Sequence, residues 1–172
     1  MPARLFYCDD ARYPVIQVLI QVGAGSCDKH VYNEHTLEFL ETRRSWLPYP
    51  YAYGFVLGTR AADGDCVDCY VLATAPLAAG AIVVCEPIGL LEQDEDGEVD
   101  HKVLAALPNE EVVLGGHLLQ EFQRFIHALF AQYPDARIRV GPIRDREAAA
   151  QYLQQAWRLQ SREREGLRPS QK

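Results

Sequence analysis

The chain has 172 residues, 48% of them apolar and 24% charged, enough for one sizeable core and too apolar for a disordered segment. A formal net charge of −7 argues against nucleic acid or an anionic membrane as partner, because both select basic surfaces. No apolar run is long enough to span a bilayer and Met1-Pro2-Ala3-Arg4 leads into no signal-peptide core, so a cytoplasmic location is expected.

Residues 1–172 read as a single domain whose first two-thirds are β-structure. Val15 to Val22 is rich in β-branched residues and ends at Gly23, the pattern of a strand. Tyr49-Pro50-Tyr51-Ala52-Tyr53-Gly54-Phe55 is an aromatic turn-and-strand segment, and Val67 to Ala73 a short apolar strand. Ala81 to Leu91 and Glu98 to Leu107 flank the acidic turn Asp94-Glu95-Asp96-Gly97, which predicts a hairpin. Leu118, Leu119, Phe122, Phe125, Ile126 and Leu129 then recur at helical steps until Tyr133-Pro134-Asp135. A short strand, Arg137 to Val140, precedes a second helix that Asp145 can cap, carrying Ala148, Tyr152, Leu153, Ala156 and Trp157. The charged tail from about Ser161 is expected to fray. Strands followed by helices predict an α+β domain built on a small β-barrel. Phe122 and Phe125 read as helix-face core, and Trp46 and Trp157 as packing residues.

Five cysteines (Cys8, Cys27, Cys66, Cys69, Cys85) in a chain without a visible leader read as reduced thiols. The Cys66-Val67-Asp68-Cys69 spacing has neither the helix start of a redox pair nor a second pair for zinc, and reads as coincidence. Only Lys29, Lys102 and Lys172 are lysines, against 14 arginines, so an interior lysine hints at a local need.

Asp63-Gly64-Asp65-Cys66-Val67-Asp68 concentrates three carboxylates just ahead of an apolar stretch. Alone it can be a solvated turn, since Asp-Gly is a common turn pair. Asp63 and Asp65 share a parity that Asp68 lacks, and a turn at Gly64 would bring all three together. Asp68 opens a buried strand and needs a counter-charge, which an oxygen-seeking cation supplies. On the later hairpin, Asp100 and Lys102 share a face. They are either a surface ion pair or a metal ligand beside a phosphate clamp.

These segments, in order, resemble the soluble family I inorganic pyrophosphatases over about Val15 to Trp157. The triplet is similar to the family's Asp-Gly-Asp-Pro-x-Asp, with Cys66 in place of proline. Tyr49 to Phe55 resembles Tyr-Pro-x-Asn-Tyr-Gly-Phe, with Ala52 in place of asparagine. Gly25-Ser26-Cys27-Asp28-Lys29 resembles Gly-Ser-x-Asn-Lys, and Pro87 to Lys102 the second acidic motif. The resemblance implies an OB-like five-stranded β-barrel with two C-terminal helices packed on it. It also implies Mg²⁺-dependent hydrolysis of pyrophosphate to two phosphates, with Mn²⁺ as the alternative metal, in a homo-oligomer that is hexameric in prokaryotic members. By position it implies Asp63, Asp68 and Asp100 as metal ligands and Asp65 as the base that activates water. It implies Lys29, Tyr53, Lys102 and Tyr133 as phosphate contacts. Multiple cations would offset the charge of pyrophosphate and lower the pKa of attacking water, while Lys, Arg and Tyr steady the phosphoryl oxygens.

The chain departs from the family at several points. Gln21 stands where the family has glutamate, His30-Val31 where it has Tyr-Glu, and Pro134 where it has lysine, for which Arg139 could compensate. Counting back from Tyr53 puts Glu41 at the family's phosphate-binding arginine and counting forward from Lys29 puts Arg43 there; a cation suits the role, so Arg43 is preferred. The hairpin ligand is Glu95 counted from Asp100 and Asp94 counted from Gly97. A metal core that is kept beside a thinned phosphate shell leaves two further readings: a weakly active or non-catalytic binder of metal and phosphate, or a hydrolase of another diphosphate.

Overall fold

A computed structural model of the chain describes residues 13–166; Met1 to Arg4, Cys8 and the chain after Gly166 lie outside them. Among the described residues nine strands and two helices follow one another: β1 Ile16–Val22, β2 Asp28–Tyr32, β3 Phe39–Arg44, β4 Ala52–Val56, β5 Asp68–Val71, β6 Ile82–Glu95, β7 Glu98–Val99, β8 Lys102–Ala106, α1 Gly116–Phe130, β9 Ile138–Arg144 and α2 Arg146–Gly166.

The main sheet runs β1-β4-β5-β8-β6, and β6 also pairs with β1, so five strands close into a ring. Only β5 and β8 pair parallel in it. The ring closes because β6 is 14 residues long and serves several partners in turn. Its first residues pair with β1, its middle with β8 and its far half with β9. Register shifts at Pro87/Gly89 and Leu91/Gln93 bend it between partners. The expected OB-like barrel with two helices is what the chain forms. β2 and β3 make a separate two-stranded sheet beyond the ring, a hairpin that the sequence reading did not resolve.

Alternation along the strands sorts the core into two layers. Val18 and Ile20 of β1, Cys69 and Val71 of β5, and Val103 and Ala105 of β8 meet Ala149, Leu153 and Ala156 of α2. Tyr70, Leu72 and Leu104 turn the other way and meet Leu118, Phe122, Phe125 and Ile126 of α1. Phe122 and Phe125 are therefore core, as their spacing indicates. Trp46 is half exposed instead, with its indole N–H on the Leu129 carbonyl at 3.0 Å. Asp145 does cap α2, its Oδ1 accepting the Ala148 N–H at 3.0 Å. The fraying expected from Ser161 does not begin there: α2 continues to Gly166, and Glu163 pairs with Arg60 at 2.9 Å.

At Gly54 β4 passes so close to β1 that a Cβ would lie 1.8 Å from the Leu19 carbonyl oxygen. Backbone cannot yield as a flexible side chain would. Gly54→Ala is expected to cost about 3–5 kcal/mol, or roughly 10 °C or more in Tm, by calorimetry.

Candidate active site

The β4–β5 connection, the β6–β7 hairpin and α1 enclose a cavity of about 600 Å³. Gly64, at φ +94°, makes the turn that lets Asp63, Asp65 and Asp68 line it together. The hairpin turns at Asp96 and Gly97, both with positive φ as a two-residue type I′ turn requires, so its tip is tighter than the four-residue acidic turn of the sequence. Side-chain parity then decides which acids face inward. Gln93 and Glu95 line the cavity beside Asp100 and Lys102. Asp94 points away and holds Arg139, whose Nε donates at 2.8 Å.

Lys102 is the electrostatic centre. Its Nζ donates to Asp68 Oδ2 at 2.6 Å and to Asp100 Oδ1 at 2.7 Å while its side chain is only 7% exposed. Burial alone would lower its pKa, but the two carboxylates outweigh that and hold it above the ordinary lysine range. Asp100 is pushed up by burial more than Lys102 pulls it down, with Asp68 adding repulsion. Burial followed by the Asp100 charge likewise raises Glu95. Lys29 enters from β2 and lies 5.1 Å from the centroid of the Tyr53 ring. Its pKa is lowered, first by burial, with Asp68 opposing the shift.

Sequence reasoning missed part of the wall. Tyr49 and Tyr70 line the cavity with Tyr53, in a ring-to-ring series with centroids 5.3 and 5.0 Å apart. Burial pushes Tyr49 up to about 12 and holds Tyr53 and Tyr70 well above the ordinary phenol range, so all three hydroxyls stay protonated donors. Tyr49 could have been found from its place in the aromatic motif. Gln93 carried no signal: it is 2% exposed, donates to Asp100 Oδ2 at 3.2 Å, and its Oε1 has no hydrogen-bond partner.

Several expected residues stand outside the lining. Asp94 and Arg139 satisfy each other on the opposite face of the hairpin, beside a second cavity of about 480 Å³ and outside the lining of the first. Arg43 and Glu41, the residues reached by the two counts, pair with each other at 2.6 Å on the exposed face of β3. Arg43 lies opposite Lys29 in the ladder and its charge reaches Lys29, but its side chain does not line the cavity. Tyr133 is 57% exposed beyond α1 and touches the lining only through Phe130. Gln21 is buried on β1 and lines no part of the cavity.

Seven carboxylates line the cavity (Asp63, Asp65, Asp68, Glu95, Asp96, Glu98, Asp100) against two lysines. Among the described residues no three acidic, His or Cys side chains stand as a ready group around one point. The donor set, with its carboxylate excess and the unpartnered Gln93 oxygen, still fits hard divalent cations that keep several waters and reach the protein partly through them. Cys66 and Cys69 fit neither zinc nor redox chemistry: Cys69 is fully buried and burial pushes the Cys66 thiol up to about 12.

Residues 18–160 match the family model for inorganic pyrophosphatase. Among curated relatives, the inorganic pyrophosphatase of Halalkalibacterium halodurans is 30% identical over 157 residues, covering 83% of this chain and 93% of the relative. That of Synechocystis is 36% identical over 124 residues, 66% of this chain and 73% of the relative. The crystal structure of inorganic pyrophosphatase from Thermus thermophilus superposes with a TM-score of 0.79 at 27% identity, over 93% of this chain and 98% of that one.

Replacing Lys102 by Met would leave the half-buried Asp68 and Asp100 without their cation, an expected loss of about 2–4 kcal/mol in urea unfolding at neutral pH. The Lys102 contribution is present in full below the ordinary lysine pKa and is lost only as pH rises through its raised value, so neutral buffers report it whole. In the variant Asp100, already pushed up by burial, loses the charge that pulls it down, so stability falls as pH rises through its raised value. The deficit should therefore be smaller at pH 5 than at pH 8.

Proposed function

The chain belongs to the inorganic pyrophosphatase family, enzymes that hydrolyse pyrophosphate to phosphate, and on that premise we propose the division of labour within its cavity. The observation that carries it is the convergence of the Asp63-Asp65-Asp68 loop, Asp100 and Lys102 on one space with Lys29 and Tyr53. Asp63, Asp68, Asp100 and Glu95 hold Mg²⁺, with Mn²⁺ as the alternative. When bound, the cations offset the substrate's charge and lower the pKa of attacking water.

The protein's own groups supply the rest. Asp65 takes a proton from water, the oxygen attacks one phosphorus, and the bridging P–O bond breaks to release the second phosphate. Lys102 spends two of its three N–H donors on Asp68 and Asp100. Its third can reach a phosphoryl oxygen with its position fixed. Lys29 and the Tyr53 hydroxyl donate to the remaining oxygens, in a site where Ile126, Leu129 and Phe130 exclude bulk water on one side. The whole chain acts as one unit, and a cytoplasmic homo-oligomer is proposed from the family resemblance.

Phosphate release from pyrophosphate should require Mg²⁺, and Asp65→Asn should lower kcat by roughly 10²–10⁴. Release that persists in Asp65→Asn would refute the assignment of the base. Glu95→Gln should raise the Mg²⁺ concentration needed for half-maximal rate. Asp94→Asn and Arg139→Ala, on the far face, should each stay within about twofold of the parent.

A further inference from the structure

The loop that carries Asp63 and Asp65 is tied internally by short-range bonds. The Ala61 N–H donates to the Asp65 carbonyl at 2.7 Å and the Gly64 N–H to the Ala61 carbonyl at 3.1 Å. The Asp65 N–H donates to Asp63 Oδ1 at 3.0 Å and the Val67 N–H to Thr59 Oγ1 at 2.9 Å. These bonds give the loop its shape but do not fix it against the rest of the protein. Bonds to other elements do that. Toward α2, the Arg60 N–H donates to the Ala156 carbonyl at 3.1 Å, and the Arg60 guanidinium, which donates to the Gly64 carbonyl, is held by Glu163 at 2.9 Å. Toward the turn between β2 and β3, the Arg60 guanidinium lies 3.5 Å from His35 Nε2, and Glu34 Oε2 accepts the Cys66 N–H at 2.6 Å, across 32 residues of sequence. The Glu34 bond is the shorter of these two and the one made to the loop's own backbone.

A carboxylate at this place is otherwise unfavourable. Glu34 is partly buried, and the Asp65 and Asp68 charges push against it. A short hydrogen bond from a backbone amide to a carboxylate is among the stronger neutral-to-charged contacts, and it offsets that repulsion. The bond depends on the residue at 66. The Asp-Gly-Asp-Pro-x-Asp pattern has proline there, which has no N–H and fixes φ by its ring. Cys66 leaves φ free and offers a donor, and Glu34 takes it.

We propose that Glu34 is a positioning residue for the hydrolysis: through the Cys66 amide it holds the Asp63–Asp65 loop against the β2–β3 hairpin, supplying by a hydrogen bond the restraint that a proline at 66 supplies covalently. It rests on the roles given above to Asp63 and Asp65.

The test is a double-mutant cycle on the full chain, read by steady-state kinetics and by the Mg²⁺ dependence of Tm without substrate. Glu34→Ala should lower kcat and raise the Mg²⁺ requirement by both readouts, each about 10-fold, with KM for pyrophosphate little changed. Glu34→Gln keeps an oxygen for the amide and should stay within about threefold of the parent. In a Cys66→Pro background the same Glu34→Ala change should cost less than about twofold, because no N–H is left to lose. Equal losses in Glu34→Ala and Glu34→Gln would overturn the proposal. So would an equal Glu34→Ala loss in both backgrounds, or a fall in Tm with the Mg²⁺ requirement unchanged. Should Glu34→Ala not fold, recovery of folding and Mg²⁺ response in the Cys66→Pro double variant supports the proposal, and failure to recover overturns it. Asp65→Asn, run in parallel, separates the two levels: if it is inactive while Glu34→Ala is normal, only the Glu34 role fails; if it is active, the reading of the site fails.

Discussion

Two half-buried carboxylates brought side by side repel each other unless a cation stands between them, and the buried Lys102 is that cation. Asp68 begins β5 and Asp100 precedes β8, and the parallel pairing of those strands brings the two acids side by side. Their repulsion in a poorly solvated pocket would otherwise raise both pKa values or splay the strands. Lys102 stands two residues beyond Asp100 on the same face, so one short segment delivers both the charge and its compensation. Removing the lysine would therefore undo the local strand arrangement as well as take a cation from the cavity. For this reason the site and the fold are not separable here.

The rest of the cavity follows from how β6 is spent. A strand that pairs with β1, β8 and β9 in turn closes the ring, and its last residues overhang the aspartate loop as a hairpin. Its two register shifts re-aim side chains along its length. Beyond the second shift, Gln93 and Glu95 face the cavity while Glu92 and Asp94 face the arginines of β9. The hairpin thus carries acids on both faces: those facing β9 pair with Arg139 and Arg144 and fasten the strand, while on the inward face Asp100 pairs with Lys102 and Glu95 lines the cavity.

Much of this was legible from residue order. β-branched runs located β1 and β6, the 3.6-residue period located α1 and α2, and the Asp-Gly turn located the triplet. Period-2 parity also separates the two hairpin acids: counted from the buried Leu91, Glu95 shares its face and Asp94 does not. Other features leave no local trace. The β2–β3 hairpin is mostly exposed, so no apolar alternation marks it. Glu34 meets Cys66, and Gln93 meets Asp100, only because the fold brings distant or oppositely placed backbone together. Partners set by tertiary geometry cannot be read from spacing.

An acidic protein with an acidic cavity is by itself a poor host for a polyanion. Seven lining carboxylates against two lysines leave a strong local excess of negative charge, and the Tyr49, Tyr53 and Tyr70 hydroxyls add donors without adding charge. Such a cavity repels pyrophosphate and attracts hard divalent cations. Cations held there would offset that excess, and the donors of Lys29, Lys102 and the tyrosines would then face a less negative centre. The acidity that argues against nucleic acid as a partner is thus concentrated in part at this cavity, where it suits cations rather than bare anions.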